Sequence, residues 1–139
     1  MRKLALTSLI AVLLVGCSSG AAKDASYSTA ADLRADLQAA GLPCADWSDD
    51  DTTGKFDAGK CDGLQIRVYP DTQARELDTG GIVVGGMFAA LEAQSETLLI
   101  TNKNWSAFVP ADKAESVASK LGGDVIDPAD YDMADLLTD

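Results

Sequence analysis

Residues 97–109 read TLLITNKNWSAFV. Two apolar runs, 97–101 and 105–109, flank Asn102-Lys103-Asn104, a polar break of the kind that marks a tight turn. The pattern predicts a strand, a turn and a second strand, and strands joined by so short a link pair antiparallel. A second unit of the same kind lies upstream. Leu64, Ile66 and Val68 alternate with Gln65, Arg67 and Tyr69, which predicts a half-buried strand. Asp62-Gly63 is a hairpin signal, and residues 55–61 before it supply a short partner strand.

Helical spacing surrounds these units. Thr29 suits an N-cap, with Asp32 favourable to the helix dipole, and Leu33, Leu37 and Ala40 share a face. Gly41 fits the left-handed position past the end and Pro43 blocks continuation, so the first helix is expected over about 29–40. Residues 45–54 read as a polar loop. Pro70 ends the second strand, and Asp71 caps a helix that begins near Thr72. Gly80-Gly81 predicts a break, followed by a further helical segment to about Gln94. Pro110 leads into a helix over 111–121 with Ala114, Val117, Ala118 and Leu121 as its stripe, and Gly122 stops it. Val125-Ile126 adds a short extended segment. Asp127-Pro128 with Asp130 starts a terminal helix that turns Met133, Leu136 and Leu137 inward. The principal order is α-β-β-α-β-β-α. It predicts an α+β fold: an antiparallel sheet of about four strands with helices packed on one face.

The amino terminus has a different character. Arg2 and Lys3 precede an uncharged, mostly apolar run from Leu4 to Gly16. That run is shorter than the ~20 residues a bilayer span needs, and it matches the apolar region of a secretion signal. It ends in Leu14-Val15-Gly16-Cys17. This tetrad resembles the lipobox of bacterial lipoprotein precursors: a branched apolar residue, small residues, then cysteine. The resemblance implies that residues 1–16 are removed, that Cys17 carries a diacylglycerol thioether and a palmitate-type acyl group, and that the chain is anchored at the extracytoplasmic face of the cell membrane. An ordinary secretory cleavage near Ser19-Gly20-Ala21-Ala22 and an uncleaved anchor are the competing readings. Residues 17–28 then read as a lipidated flexible tether and 29–139 as one domain.

Lipidation of Cys17 leaves Cys44 and Cys61. In an oxidising compartment they have one possible pairing, and a bridge closing that loop contributes about 3 kcal/mol. Their spacing is unlike the CxxC of redox sites.

Composition narrows the chemistry. The 139-residue chain carries 11 basic and 22 acidic residues, a net charge of −11, and no histidine. With Arg2 and Lys3 removed, nine bases face the 22 acids. A surface this acidic repels nucleic acid and anionic headgroups over about 8 Å at physiological salt, so no nucleic-acid partner is expected. The missing histidine removes the usual general base, the Ser-His-Asp and Cys-His pairs, and most zinc and haem sites. No cofactor or metal is expected. Asp49, Asp50 and Asp51 suggest a calcium loop, but the twelfth position from Asp49 is Lys60, a cation. Gly80-Gly81 and Gly85-Gly86 suggest a phosphate loop, but the position of the Walker lysine holds Met87.

Gly41-Leu42-Pro43-Cys44, Cys61, Asn104-Trp105 and Leu121-Gly122-Gly123, taken together, are similar to small lipoproteins of high-GC Gram-positive bacteria and their phages. The resemblance implies a small anchored domain rather than a particular activity. Three functions follow as expectations. The first is a non-catalytic binding or accessory protein of the cell envelope, in contact with its partner through Trp47, Met87 and Phe88. The second is a phage or prophage lipoprotein that blocks infection by a related phage. The third is a small carboxylate-based hydrolase. Trp105, in a predicted strand, is expected in the core. Trp47, next to Cys44 in a polar loop, either packs on the disulfide or faces a partner.

Overall fold

The computed structural model describes residues 23–50, 54–61, 63–81, 96–127 and 130. Helix α1 (Ala30–Ala39) is followed by strands β1 (Ser48–Asp49), β2 (Asp57–Cys61) and β3 (Leu64–Val68) and by helix α2 (72–81). Strands β4 (Thr97–Asn102) and β5 (Trp105–Pro110), helix α3 (Ala111–Leu121) and strand β6 (Asp124–Ile126) complete the described elements. The six strands form one sheet in the order β1-β2-β3-β5-β4-β6, with every neighbouring pair antiparallel.

Both expected hairpins are present. In the first, β2 and β3 pair from Asp57↔Val68 to Cys61↔Leu64. In the second, β4 and β5 pair from Thr97↔Pro110 to Asn102↔Trp105, and Lys103 takes a positive φ of 40° in the two-residue turn.

The strand order dictates where the helices lie. β3 and β4 run parallel with β5 between them; β5 and β6 run parallel with β4 between them. Crossovers between parallel strands are right-handed. The two crossovers step the same way along the sheet but start on strands of opposite direction, so their helices must fall on opposite faces. This is the arrangement found. α3 packs its Ala114, Val117 and Leu121 with Trp105 and Ile100, whereas α2 meets Arg67 and Tyr69 on the other face through Asp78.

The α+β class and the single antiparallel sheet therefore hold, and two features of the expected fold are corrected. The sheet has six strands rather than about four, because β1 and β6 add one strand to each edge. Both residues of β1 are exposed, so that strand carries no apolar alternation to read. The helices occupy both faces: α1 and α3 share one, and α2 takes the other. A third correction is local. The described helix continues through Gly80 and Gly81 instead of breaking there. Glycine costs a helix only about 1 kcal/mol, which contacts elsewhere along the helix can offset. The segment expected to run on to Gln94, including Met87 and Phe88, and most of the expected terminal helix lie outside the described residues.

The face under α1 and α3 holds the main core. Leu33, Leu37, Ile66, Ile100, Trp105, Val109, Val117 and Leu121 are almost wholly excluded from water. Each such side chain contributes roughly 1.5–3 kcal/mol by leaving solvent. Both ends of α1 are closed. The Asp32 N–H donates to the Thr29 hydroxyl, and the Ala30 N–H donates to the Asp57 carboxylate. At the other end Leu42 N–H donates to the Leu37 carbonyl and Gly41 N–H to that of Gln38, a Schellman motif that needs the positive φ of 106° at Gly41. The chain leaves this cap at once into Cys44, which is bonded to Cys61 across a Cα–Cα distance of 5.4 Å. The bridge thus staples the exit of α1 to the end of β2.

Part of the stretch expected as tether lies on the domain. Asp24 N–H donates to the Leu121 carbonyl, and the Trp105 indole N–H donates to the Ala25 carbonyl. The Tyr27 ring meets Trp105 edge-on at 6.2 Å, and its hydroxyl donates to Asp36 at 2.6 Å.

Candidate functional site

On the second face the local sequence makes a groove. Pro70 cannot continue the ladder, and Asp71 immediately caps a helix, its carboxylate accepting from the Ala74 N–H at 2.8 Å. The chain therefore turns back sharply over β3. Ala74, Leu77 and Asp78, at i, i+3 and i+4, lie along one side of α2, above the Arg67 and Tyr69 positions of the strand. Phe56, which leads into β2, supplies the opposing wall.

These groups contact one another. The Asp78 carboxylate accepts from the Tyr69 hydroxyl at 2.8 Å and from the Arg67 guanidinium at 3.2 Å. The same guanidinium lies 4.8 Å over the Phe56 ring, and Phe56 and Tyr69 meet at 5.5 Å with their planes tilted by 55°. Between them opens a cavity of about 420 Å³, walled by Phe56, Tyr69, Pro70, Ala74 and Leu77, with Lys55 at its edge. An adjoining depression of about 350 Å³ extends it toward Ser28 and Asp57. Leu77 is the one large apolar side chain exposed among the described residues, at 81%.

Burial, helped by its bond to Asp78 and opposed by Ser106 and Arg67, pushes the Tyr69 hydroxyl up to about 12. At neutral pH it is a protonated donor, already directed at Asp78. Arg67, Asp78 and Tyr69 satisfy one another, which leaves the cavity walls to aromatic and aliphatic surface. Such walls suit the binding of an apolar group with a few fixed polar neighbours.

Trp47 sits elsewhere. It is half-buried on the other face of the sheet, where its six-membered ring closes on Gly59 and Arg34 of α1 lies 5.1 Å over the indole. Its ring nitrogen donates to Asp49 at 2.7 Å. Cys17, Met87 and Phe88 lie outside the described residues. Asp49 belongs to β1, and no group of three or more acidic or cysteine side chains among the described residues is placed to hold a metal ion. No helix among the described residues is long and apolar enough to cross a membrane.

Sequence reasoning missed Phe56, Leu77 and Asp78 as one site, and it missed the role of Asn104. That residue, read as part of a turn, is buried. Its amide donates to the carbonyls of Tyr27 and Tyr69, both at 2.8 Å, and its side-chain oxygen accepts from the Tyr27 N–H. It thereby joins the segment entering α1 to the residue at the floor of the groove.

The chain matches no protein-family model, and comparison with curated proteins and with solved structures returns no match.

Proposed function

We propose that this protein is a lipoprotein anchored through Cys17 to the outer face of the cell membrane, where it works as a non-catalytic binding or accessory protein of the envelope. The observation that carries the reading is the run from Arg2-Lys3 through the apolar Leu4–Gly16 segment to Leu14-Val15-Gly16-Cys17. Four positional requirements of a lipobox are met together there. The Cys44–Cys61 disulfide supports export, since such bonds persist in oxidising compartments and are rare in the cytosol. The binding half of the reading draws on the groove under α2, whose polar groups are engaged with each other and whose walls are apolar. Two or more acyl chains hold a protein firmly at a membrane, whereas one does so only marginally.

Metabolic labelling tests the anchor. Cells fed radioactive palmitate label the wild-type protein and leave Cys17→Ala unlabelled. Equal labelling of the two, or recovery of the native protein entirely from the cytosol, removes the anchor and with it this reading.

A further inference from the structure

The cavity under α2 lies at one end of the sheet, and the segment that leads back to Cys17 joins the domain at the same end. We infer that the cavity takes the hydrocarbon chain of a neutral or zwitterionic glycerolipid from the leaflet that holds the anchor. The inference rests on the reading of the protein as an anchored envelope binding protein and names the class of its ligand.

Three observations carry it. The first is the lining. Phe56, Tyr69, Pro70, Ala74 and Leu77 present aromatic and aliphatic surface around about 420 Å³. Ligand pockets run from about 300 to 1,000 Å³, so this one suits a single chain rather than a whole lipid. The second is charge. Arg67 and Asp78 pair at 3.2 Å, and at the edges one cation, Lys55, is matched by one anion, Asp57. The lining therefore has no net charge with which to select an ionic ligand. The chain as a whole carries −11, which disfavours an anionic headgroup.

The third observation is position. Phe56 directly precedes β2, whose first residue Asp57 pairs with Val68, and Tyr69 and Pro70 follow Val68. Across the sheet Val68 pairs with Trp105, and Trp105 with Asn102. The entering chain is fastened to this same end. The Asn102 amide donates to Asp24 at 3.1 Å, and the Asn104 amide donates to the carbonyls of both Tyr27 and Tyr69. Ser28 lines the depression that extends the cavity. Asp24 is seven residues beyond Cys17, and seven extended residues span at most about 25 Å. An anchor at Cys17 thus holds this end of the sheet, and not the Cys61 end, within that distance of the leaflet. Lipid chains of the leaflet outnumber the few on Cys17, and drawing one of those few into the cavity would loosen the anchor.

Photo-crosslinking of the native protein in its own membrane tests this. Cells are fed a diazirine-bearing palmitate, which enters both glycerolipids and acylated cysteine, and are then irradiated. Mass spectrometry of the purified protein gives the site of each adduct and, from its mass, whether the chain came from a glycerolipid or from Cys17. Glycerolipid adducts should fall on Phe56, Tyr69, Pro70, Ala74 and Leu77 at least about tenfold above those on the exposed Ser116 and Ser119 of α3. Leu77→Asp should lower them at least about fivefold by removing apolar surface from the opening. Ser119→Asp, with the same added charge on the other face, should stay within about twofold. Adducts spread equally over both faces, adducts formed by the Cys17 chain itself, or indifference to Leu77→Asp overturn the proposal. The same spectra report the anchor separately. Labelled Cys17 without adducts in the cavity removes the ligand and leaves the anchor standing, whereas unlabelled Cys17 removes the anchor and the proposal together.

Discussion

On the face of the sheet beneath α1 and α3, β5 presents Trp105, Ala107 and Val109, and all three are closed off from water. On the opposite face the same strand presents Ser106 and Phe108, and Phe108 is only half-buried. The contrast runs through β3 as well, where Leu64, Ile66 and Val68 are buried while Gln65 and Arg67 are half-exposed. Two helices with continuous apolar stripes cover the first face. The second receives α2, which turns Ala74 and Asp78 toward the strand and leaves Leu77 in solvent. One face is thus organised by burial. The other has a smaller buried cluster around Leu99 and Tyr69, joined to a set of polar and aromatic contacts with apolar surface accessible at Leu77. Substitutions on the first face should register as lost stability; those on the second should register chiefly as lost binding.

The largest test of this contrast is Trp105→Ala. It removes the biggest fully buried side chain and its bond to the Ala25 carbonyl, and should cost about 3–5 kcal/mol in urea unfolding. Next comes the Cys44→Ala, Cys61→Ala pair. Opening the bridge between α1 and β2 should cost about 3 kcal/mol, and reducing agent should reproduce the loss in the wild type. Asn104→Ala should cost about 1–3 kcal/mol, because the carbonyls of Tyr27 and Tyr69 lose their amide donor in a buried setting. By comparison, Leu77→Asp should stay within about 0.5 kcal/mol of the wild type. A loss at Leu77 as large as that at Trp105 would break the contrast, since it would make the groove part of the structural core.

The legible part of the fold follows the same division. The stripes of α1 and α3 and the alternation of β3 could be read because the residues that satisfy the core face are apolar and regularly spaced. The caps at Thr29 and Asp71 could be read because a short polar side chain before a periodic run has few other uses. The edge strand β1 escaped notice, since it is two exposed residues long; the extended segment at Val125-Ile126 was legible, but not its place at the other edge of the sheet beside β4. The groove escaped for a different reason. Phe56, Tyr69, Leu77 and Asp78 come from three separate segments, and the pairing of β2 with β3 and the turn at Pro70-Asp71 bring them together. Placing α2 on its own face needed the strand order, which no local pattern carries. Asn104 was hidden by its own turn, where a polar residue is expected to face solvent rather than link two segments.

The smallest test uses two tyrosines, one on each side of the sheet: Tyr69, which is buried, and Tyr27, which is half-buried. Burial raises the ionisation of both above the ordinary value of 10.0: Tyr69 to about 12, and Tyr27, bonded to Asp36, further still. Since the folded state holds the neutral form more tightly than the unfolded chain does, each contributes stability that is complete below pH 10 and is lost as pH rises through the folded value. The urea midpoint should therefore be insensitive to these groups below pH 10 and fall between pH 10 and 12. Tyr69→Phe should make that fall shallower by removing the share that belongs to the groove. Tyr27→Phe should instead remove a loss that extends to higher pH, from the side covered by α1. If Tyr69→Phe leaves the slope unchanged, the hydroxyl ionises as freely in the folded protein as in the unfolded chain. The Tyr69–Asp78 contact would then not close the floor of the groove, and the second face would be more open than its geometry implies.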